Sequence, residues 1–402
     1  MQVYVILTLA VLTYSFICFN GLTKNVPPRA LKTVFLSAVF LLLLTCSAMR
    51  LSVGYDYNMY YNGFYNMGRA GFSTLVYKDW EWGFNIFTKV VFFFTRDYRI
   101  YMAIASAICL AGPFCLIFRH SKKAWLSVLL YVNLYFYYAT MNFMRQSIAI
   151  SLVAFAYTFL INKKLWAYTM VVLVAALFHT TVLIMLPVYF IVNFKPSLKI
   201  PLLYAYLIFW VFISSNETLD ILTEFMHSEY RFSKYLSMGL SAVHVVIPSL
   251  VVLFGMFVVL KFIKPKNMLE SDKLIVIQTN LMYFSYMWLT VMLRHALFER
   301  FSYYTYIFVI LYIPELIEFV DDKYKKYANR RFNIKLRIYE LSEEQQKDFI
   351  ADFKKKRRAL GIFITLFFVA ATLVYHMYGL VVYDKGPHGI YPYRTWLNPN
   401  WM

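Results

Sequence analysis

The chain has 402 residues, 61% of them hydrophobic and 15% charged, with a formal net charge of +19 at pH 7. An ordinary soluble domain carries about 25% charged residues, so a soluble globular fold is excluded and an integral membrane protein is indicated. The positive charge does not point to nucleic acid, because the lysines and arginines gather in the connections between apolar stretches, as membrane topology requires.

In chain order, the first predicted span covers 3–20; it lacks the basic leader and small-residue cleavage site of a signal peptide and is read as retained. Lys24, Arg29 and Lys32 mark a cytoplasmic turn, and a second span at 31–49 leads into an outer stretch, 50–82, dense in Tyr, Trp, Asn and Gly and holding Asp56, Asp79 and Glu81. Residues 83–95 are predicted as a short helix that enters from the outer side and returns, followed after "TRDYR" by a full span at 100–118. Beyond Arg119, Lys122 and Lys123 come helices at 124–140 and 146–161, joined by an outer turn that holds Arg145. Lys163 and Lys164 precede a hairpin of two short helices, 165–178 and 180–194, with His179 at its tip. A helix at 200–213 leads past a second polar, aromatic outer stretch, 214–240, to spans at 241–262, 274–293 and 301–320. A basic segment, 321–358, ends in "FKKKRR", and a last span at 360–378 delivers the tail to the outer side.

Backbone polar groups find no partner in hydrocarbon, so such segments must be helices, about twelve or thirteen of them. The expectation is an all-α polytopic transmembrane bundle. It comprises a helical domain over 1–320 with outer loops 50–82 and 214–240, a basic cytoplasmic segment 321–358, and a last helix with an outer tail over 359–402. The segment 321–358 reads either as a docking site or as a helix on an anionic lipid surface. Cys18, Cys46, Cys109 and Cys115 all lie in apolar stretches and read as small hydrophobes. The sequence has no CxxC zinc motif, no phosphate loop, no GxSxG elbow and no GxGxxG fingerprint, which argues against an ATPase, a serine hydrolase or a dinucleotide enzyme.

The chemistry is expected at the outer face. Aromatic residues in 50–82 fit either the interfacial belt of a membrane protein or a surface that stacks on pyranose rings. A lone arginine at the end of a span is explained by snorkelling to the headgroups. Arg50, Arg145, Arg294, Arg300 and Arg394, however, all fall on the face where positive charge is normally depleted. Five such residues call for an anion, and a planar guanidinium suits a diphosphate. His179 reads either as a helix cap or as an acid–base group, and the pair Glu299–Arg300 either as a local ion pair or as part of the same site. Asp56 and Asp79 are too far apart for a DxD metal motif.

The order "VGYDYNMYYNGF", "EWGFNIF", "MRQSIAISL", "KKLWAYTMVVLVAALFHTTVLIMLP", "ERFSYY" and a terminal "YPYR" resembles the EpsG family, a branch of the Wzy-type bacterial polysaccharide polymerases. The resemblance implies a metal-independent, cofactor-free glycosyltransferase of the GT-C class with a periplasm-facing cavity. It would sit in the bacterial cytoplasmic membrane and join undecaprenyl-pyrophosphate-linked repeat units, with a chain-length regulator as a candidate partner and no nucleic acid. Positions matching the family pattern are Asp56, Glu81, Arg145, Gln146, His179, Glu299, Arg300 and Arg394, with Arg50, Tyr55 and Arg294 beside them. The roles expected are catalysis for Asp56, Glu81, His179 and Glu299, with Asp56 foremost as general base. Substrate or pyrophosphate binding is expected of Arg50, Tyr55, Arg145, Gln146, Arg294, Arg300 and Arg394. Two other classes stay open: an O-antigen ligase or membrane acyltransferase, and a flippase for lipid-linked oligosaccharides.

Overall fold

The computed structural model describes residues 2–19, 28–70, 80–194, 199–214, 243–262, 272–293, 298–339, 342–382, 387–390 and 393–397. The α-helices are α1 (Gln2–Phe19), α2 (Pro28–Ala48), α3 (Tyr57–Arg69), α4 (Trp82–Phe94), α5 (Tyr98–His120), α6 (Ala124–Asn133), α7 (Phe136–Asn142) and α8 (Met144–Ile161). They continue with α9 (Leu165–Ala176), α10 (Met185–Ile191), α11 (Lys199–Ile213), α12 (Val243–Phe262), α13 (Lys273–Val291), α14 (Glu299–Tyr306), α15 (Val309–Tyr339) and α16 (Glu343–Val382). Among the described residues extended backbone pairs only at an isolated antiparallel bridge between Arg50 and Thr395.

Among the described residues five helices, α2, α5, α8, α13 and α16, are long and apolar enough to cross a membrane, and α14 with α15, bent by 45°, makes a sixth if the two are one span. Shorter apolar helices fill the space between them, among them α4, α6 and α9. Helices satisfy their backbone groups internally, as hydrocarbon requires, and the protein is an all-α polytopic membrane bundle. Helix α5 packs on α2 and α8, α8 on α9, α13 on α12 and α14, and α6 on α1, α15 and α16. Where α5 meets α8, the Gly112 amide donates to Ser151 Oγ at 2.8 Å and that hydroxyl donates to the Ile108 carbonyl at 2.6 Å. Buried tyrosines fill much of the remaining core, and two of their hydroxyls tie neighbouring elements together through carbonyls: Tyr137 on Leu43 at 2.9 Å, Tyr168 on Met185 at 2.6 Å.

Several elements differ from the sequence reading. The helix predicted over 124–140 is two, α6 and α7, broken at Tyr135, whose φ of 66° is left-handed. The Tyr135 hydroxyl, 2.6 Å from the His376 carbonyl, ties this break to α16. The hairpin arm predicted at 180–194 starts as a 3-10 turn, Thr180–Ile184, before α10. The outer stretch 50–82 is not all loop. Tyr57, Tyr60, Phe64 and Met67 recur at helical spacing in α3 and are buried as one stripe. Helices α15 and α16 run without interruption from the apolar region through the basic segment and form a helical hairpin. Its two arms meet through ring contacts of Phe332 with Phe349 and Tyr324 with Phe353, and through Arg357 with Asp321. Residues 215–242, most of the second polar stretch, lie outside the described residues.

Candidate functional site

The stretch Asn142–Phe143–Met144–Arg145–Gln146, where α7 ends and α8 begins, is the hub of a polar cluster at one end of the bundle. Phe143 has a non-helical backbone (φ −94°, ψ 61°), which re-aims the chain between the two helices. As a result four of these five residues make contacts that leave the junction in different directions. Asn142 Oδ1 accepts the Asp56 amide at 3.0 Å and so holds the start of α3. The ring of Phe143 lies under the Arg300 guanidinium, 4.9 Å from centroid to Cζ, within cation–π range. Arg145 Nη1 donates to Glu81 Oε2 at 2.6 Å. Gln146 Nε2 donates to the Arg300 carbonyl at 2.5 Å and so ties α14 to α8.

Glu81 is the residue before α4, with extended backbone and no side-chain bond to its own helix. Its carboxylate is therefore available to reach across. Oε2 takes Arg145; Oε1 lies 2.7 Å from His179 Nδ1 and 3.3 Å from the Thr180 amide. Gly83 makes this approach possible. Its amide donates to the Leu177 carbonyl at 2.7 Å, and a Cβ there would come within 2.7 Å of Leu177 atoms. His179 sits in extended backbone (φ −159°, ψ 111°) between α9 and the 3-10 turn, which turns its ring back toward Glu81. All three side chains are shielded, at 18% exposure for Arg145, 11% for Glu81 and 13% for His179.

The electrostatics of these loop groups follow from burial and pairing. Burial lowers the pKa of His179 and outweighs the raising effect of the Glu81 carboxylate, so the imidazole is neutral at pH 7. A carboxylate can only accept, so Nδ1 carries the proton and Nε2 keeps its lone pair. Burial pushes Glu81 up, but the hydrogen bond from His179 and the charge of Arg145 together outweigh it and hold Glu81 below the usual carboxylate value. Asp56 goes the other way. Burial raises it, against the opposing charges of Arg300 and Arg145. Tyr60, from α3, is pushed up to about 12 by burial and hydrogen-bonds the Arg145 side chain.

Of the residues expected to act together, Asp56, Glu81, Arg145, Gln146, His179 and Arg300 share this cluster. Glu299, one residue before Arg300, accepts the Tyr303 hydroxyl at 3.1 Å. Arg50 is set apart, 1% exposed, with Nη1 donating to the Ser47 carbonyl at 2.5 Å and to Ser106 Oγ at 3.3 Å. The Arg394 carbonyl accepts the Leu51 amide at 2.8 Å, and Tyr55 is 64% exposed. Arg294 lies outside the described residues. Sequence reasoning missed Tyr60, Asn142, Phe143, Tyr303 and His388. Asn142 and Phe143 were in plain view beside the "RQ" pair, but nothing in a linear reading says that the helix breaks there. Among the described residues no three His, Cys, Asp or Glu side chains gather as a metal-ligand group.

Fold and site together define an all-helical membrane protein with a cationic and acid–base cluster at one end of its bundle. The chain belongs to the EpsG family, whose pattern matches residues 33–334, and this membership supports a polysaccharide-polymerase-type function in general. No curated protein and no solved structure matches the chain significantly.

Proposed function

We propose that this protein is a membrane glycosyltransferase that polymerises lipid-linked oligosaccharide repeat units, with undecaprenyl diphosphate as the leaving group, at the outer face of the bacterial cytoplasmic membrane. The observation that carries the reading is Glu81, held between Arg145 and His179 with Arg300 alongside. It combines an oriented neutral imidazole with two guanidinium groups in one shielded cluster.

In this reading Arg300 and Arg145 hold the diphosphate of the donor chain, where fixed positive donors favour the charge that develops on the leaving oxygens. A hydroxyl of the incoming unit attacks C1 of the donor sugar. The new C–O bond forms as the bond from C1 to the diphosphate oxygen breaks, and the lipid diphosphate leaves with the electron pair. The hydroxyl proton passes to His179 Nε2, and Glu81 stabilises the imidazolium that results. Asp56, raised by burial, is the second carboxylate within the field of both arginines. The chain grows by one repeat at its reducing end, in a GT-C-like arrangement that uses side-chain cations.

Product analysis tests this against its rivals. The purified protein in proteoliposomes, given lipid-linked repeat units alone, should make a ladder of increasing repeats. Transfer only to a separate acceptor lipid would make it a ligase, and movement of intact units across the bilayer without covalent growth would make it a transporter.

A further inference from the structure

The stretch matched to the family ends at residue 334, yet the described tail residues beyond α16, 387–390 and 393–397, return to the same end of the bundle and are tied down there. The Tyr4 hydroxyl donates to the Ile390 carbonyl at 2.6 Å and the Tyr393 hydroxyl to the Cys46 carbonyl at 2.6 Å. Three amides complete the seam: Gly54 to the Gly389 carbonyl at 3.0 Å, Leu51 to Arg394 at 2.8 Å and Trp396 to Met49 at 3.1 Å. Where this strap meets the loop before Asp56, four residues have left-handed backbone: Ser52 (φ 53°), Gly54 (φ 98°), His388 (φ 60°) and Gly389 (φ 70°). Positive φ is unfavourable for residues with a side chain, and it persists where the surroundings over-determine it, commonly at functional sites.

The strained His388 points at the cluster. Its ring packs edge-on against Phe143, with centroids 5.1 Å apart at 79°, on the residue that also carries the Arg300 guanidinium. Its Nε2 lies 3.1 Å from the Tyr303 hydroxyl, which in turn donates to Glu299 Oε1 at 3.1 Å. A phenol has one proton. Given to the Glu299 carboxylate, it leaves the phenol oxygen to accept the Nε2–H of His388. The tail thus fixes both the platform beneath Arg300 and the side chains of the helical turn that bears it.

We propose that the C-terminal strap is a wall of the site and that His388 is a positioning residue, acting through Phe143 and Tyr303 to hold Arg300 for the lipid diphosphate while the Glu299 carboxylate stays turned onto the Tyr303 hydroxyl. This rests on the function proposed above and deepens it, because it assigns a role to His388, which lies outside the matched stretch 33–334 and outside the short motifs that carry the resemblance.

The test uses the full chain in nanodiscs with His388→Ala, His388→Gln, Tyr303→Phe and the His388→Ala/Tyr303→Phe double variant. Two readouts are taken: KM and kcat for chain growth on lipid-linked repeat units, and equilibrium binding of undecaprenyl diphosphate itself. His388→Ala is expected to raise KM and weaken binding about tenfold, the scale of one lost hydrogen bond in a charged network, with kcat within about threefold of the parent. His388→Gln, which keeps an N–H donor near the position of Nε2, should recover most of this. Tyr303→Phe removes the hydroxyl but leaves the His388 ring on Phe143, so it should weaken binding in the same direction by a smaller factor, and the double variant should be no worse than His388→Ala, since the hydroxyl acts through His388. Parental KM and binding in His388→Ala would overturn the proposal, as would a Gln variant as impaired as Ala, or additive effects in the double variant. If His388→Ala fails to fold, Tyr303→Phe carries the test alone. A parent that makes no polymer would defeat the functional reading, while diphosphate binding still decides the role of His388.

Discussion

Replacing Glu81 with Gln separates a structural from a chemical role for the carboxylate at the centre of the cluster. Glu81 accepts from Arg145 at 2.6 Å, from His179 at 2.7 Å and from the Thr180 amide at 3.3 Å. An amide of the same size keeps one oxygen, which Arg145 will claim, since a guanidinium has only donors. The NH2 group then faces His179 Nδ1, and two donors cannot meet. The imidazole must move its proton to Nε2, and the atom proposed as base loses its lone pair. Removing a charge-assisted acceptor from so shielded a cluster costs about 1–3 kcal/mol of stability, enough to lower the melting temperature without unfolding the protein. The loss of general-base catalysis is larger, about 10²–10⁴ in turnover. Initial rates of chain growth in proteoliposomes, with a parallel thermal melt in detergent, read the two effects separately. A Glu81→Gln variant that melts lower yet turns over within about fivefold of the parent would refute the claim that Glu81 acts by setting the tautomer of His179.

Three further outcomes follow from the same geometry. Because burial holds His179 below its ordinary pKa of about 6.5, its contribution to stability is present above that value and is lost as pH falls through the folded-state pKa. Activity falls in the same direction, so the acid limb of kcat/KM should lie below about pH 6.5 and disappear in His179→Gln; a limb above that value would contradict a buried neutral base. Arg145→Lys keeps the charge but not the fork that serves both Glu81 and Tyr60. Chain growth should fall by about 10–100-fold, with shorter polymer on gels, and a normal length distribution would rule out the role given to this guanidinium. The Arg357–Asp321 pair in the basic hairpin has good geometry but is 38% and 27% exposed. Asp321→Asn should therefore change the melting free energy by less than about 1 kcal/mol, in contrast to Glu81.

The amino-acid sequence by itself determined the class of fold, because a helix crossing hydrocarbon needs only a local property, an unbroken apolar run. Helix α5, predicted at 100–118, is found at Tyr98–His120, and α13, predicted at 274–293, at Lys273–Val291. The family was legible for a similar reason, in short motifs kept in order along the chain. The left-handed break at Tyr135 and the bend between α14 and α15 were not legible, since each depends on what packs beside it. The site shows the same division. That Arg145 and His179 are unusual polar residues could be read from an apolar background, whereas Glu81 was one of three carboxylates in a polar outer stretch. Only the folded bundle decided that Glu81 joins the other two across 64 and 98 residues, that Arg50 is buried apart from them, and that His388 comes back to meet Tyr303. Those outcomes are set by which helices lie side by side, and a hydrogen bond between distant residues leaves no periodic trace in the chain that makes it.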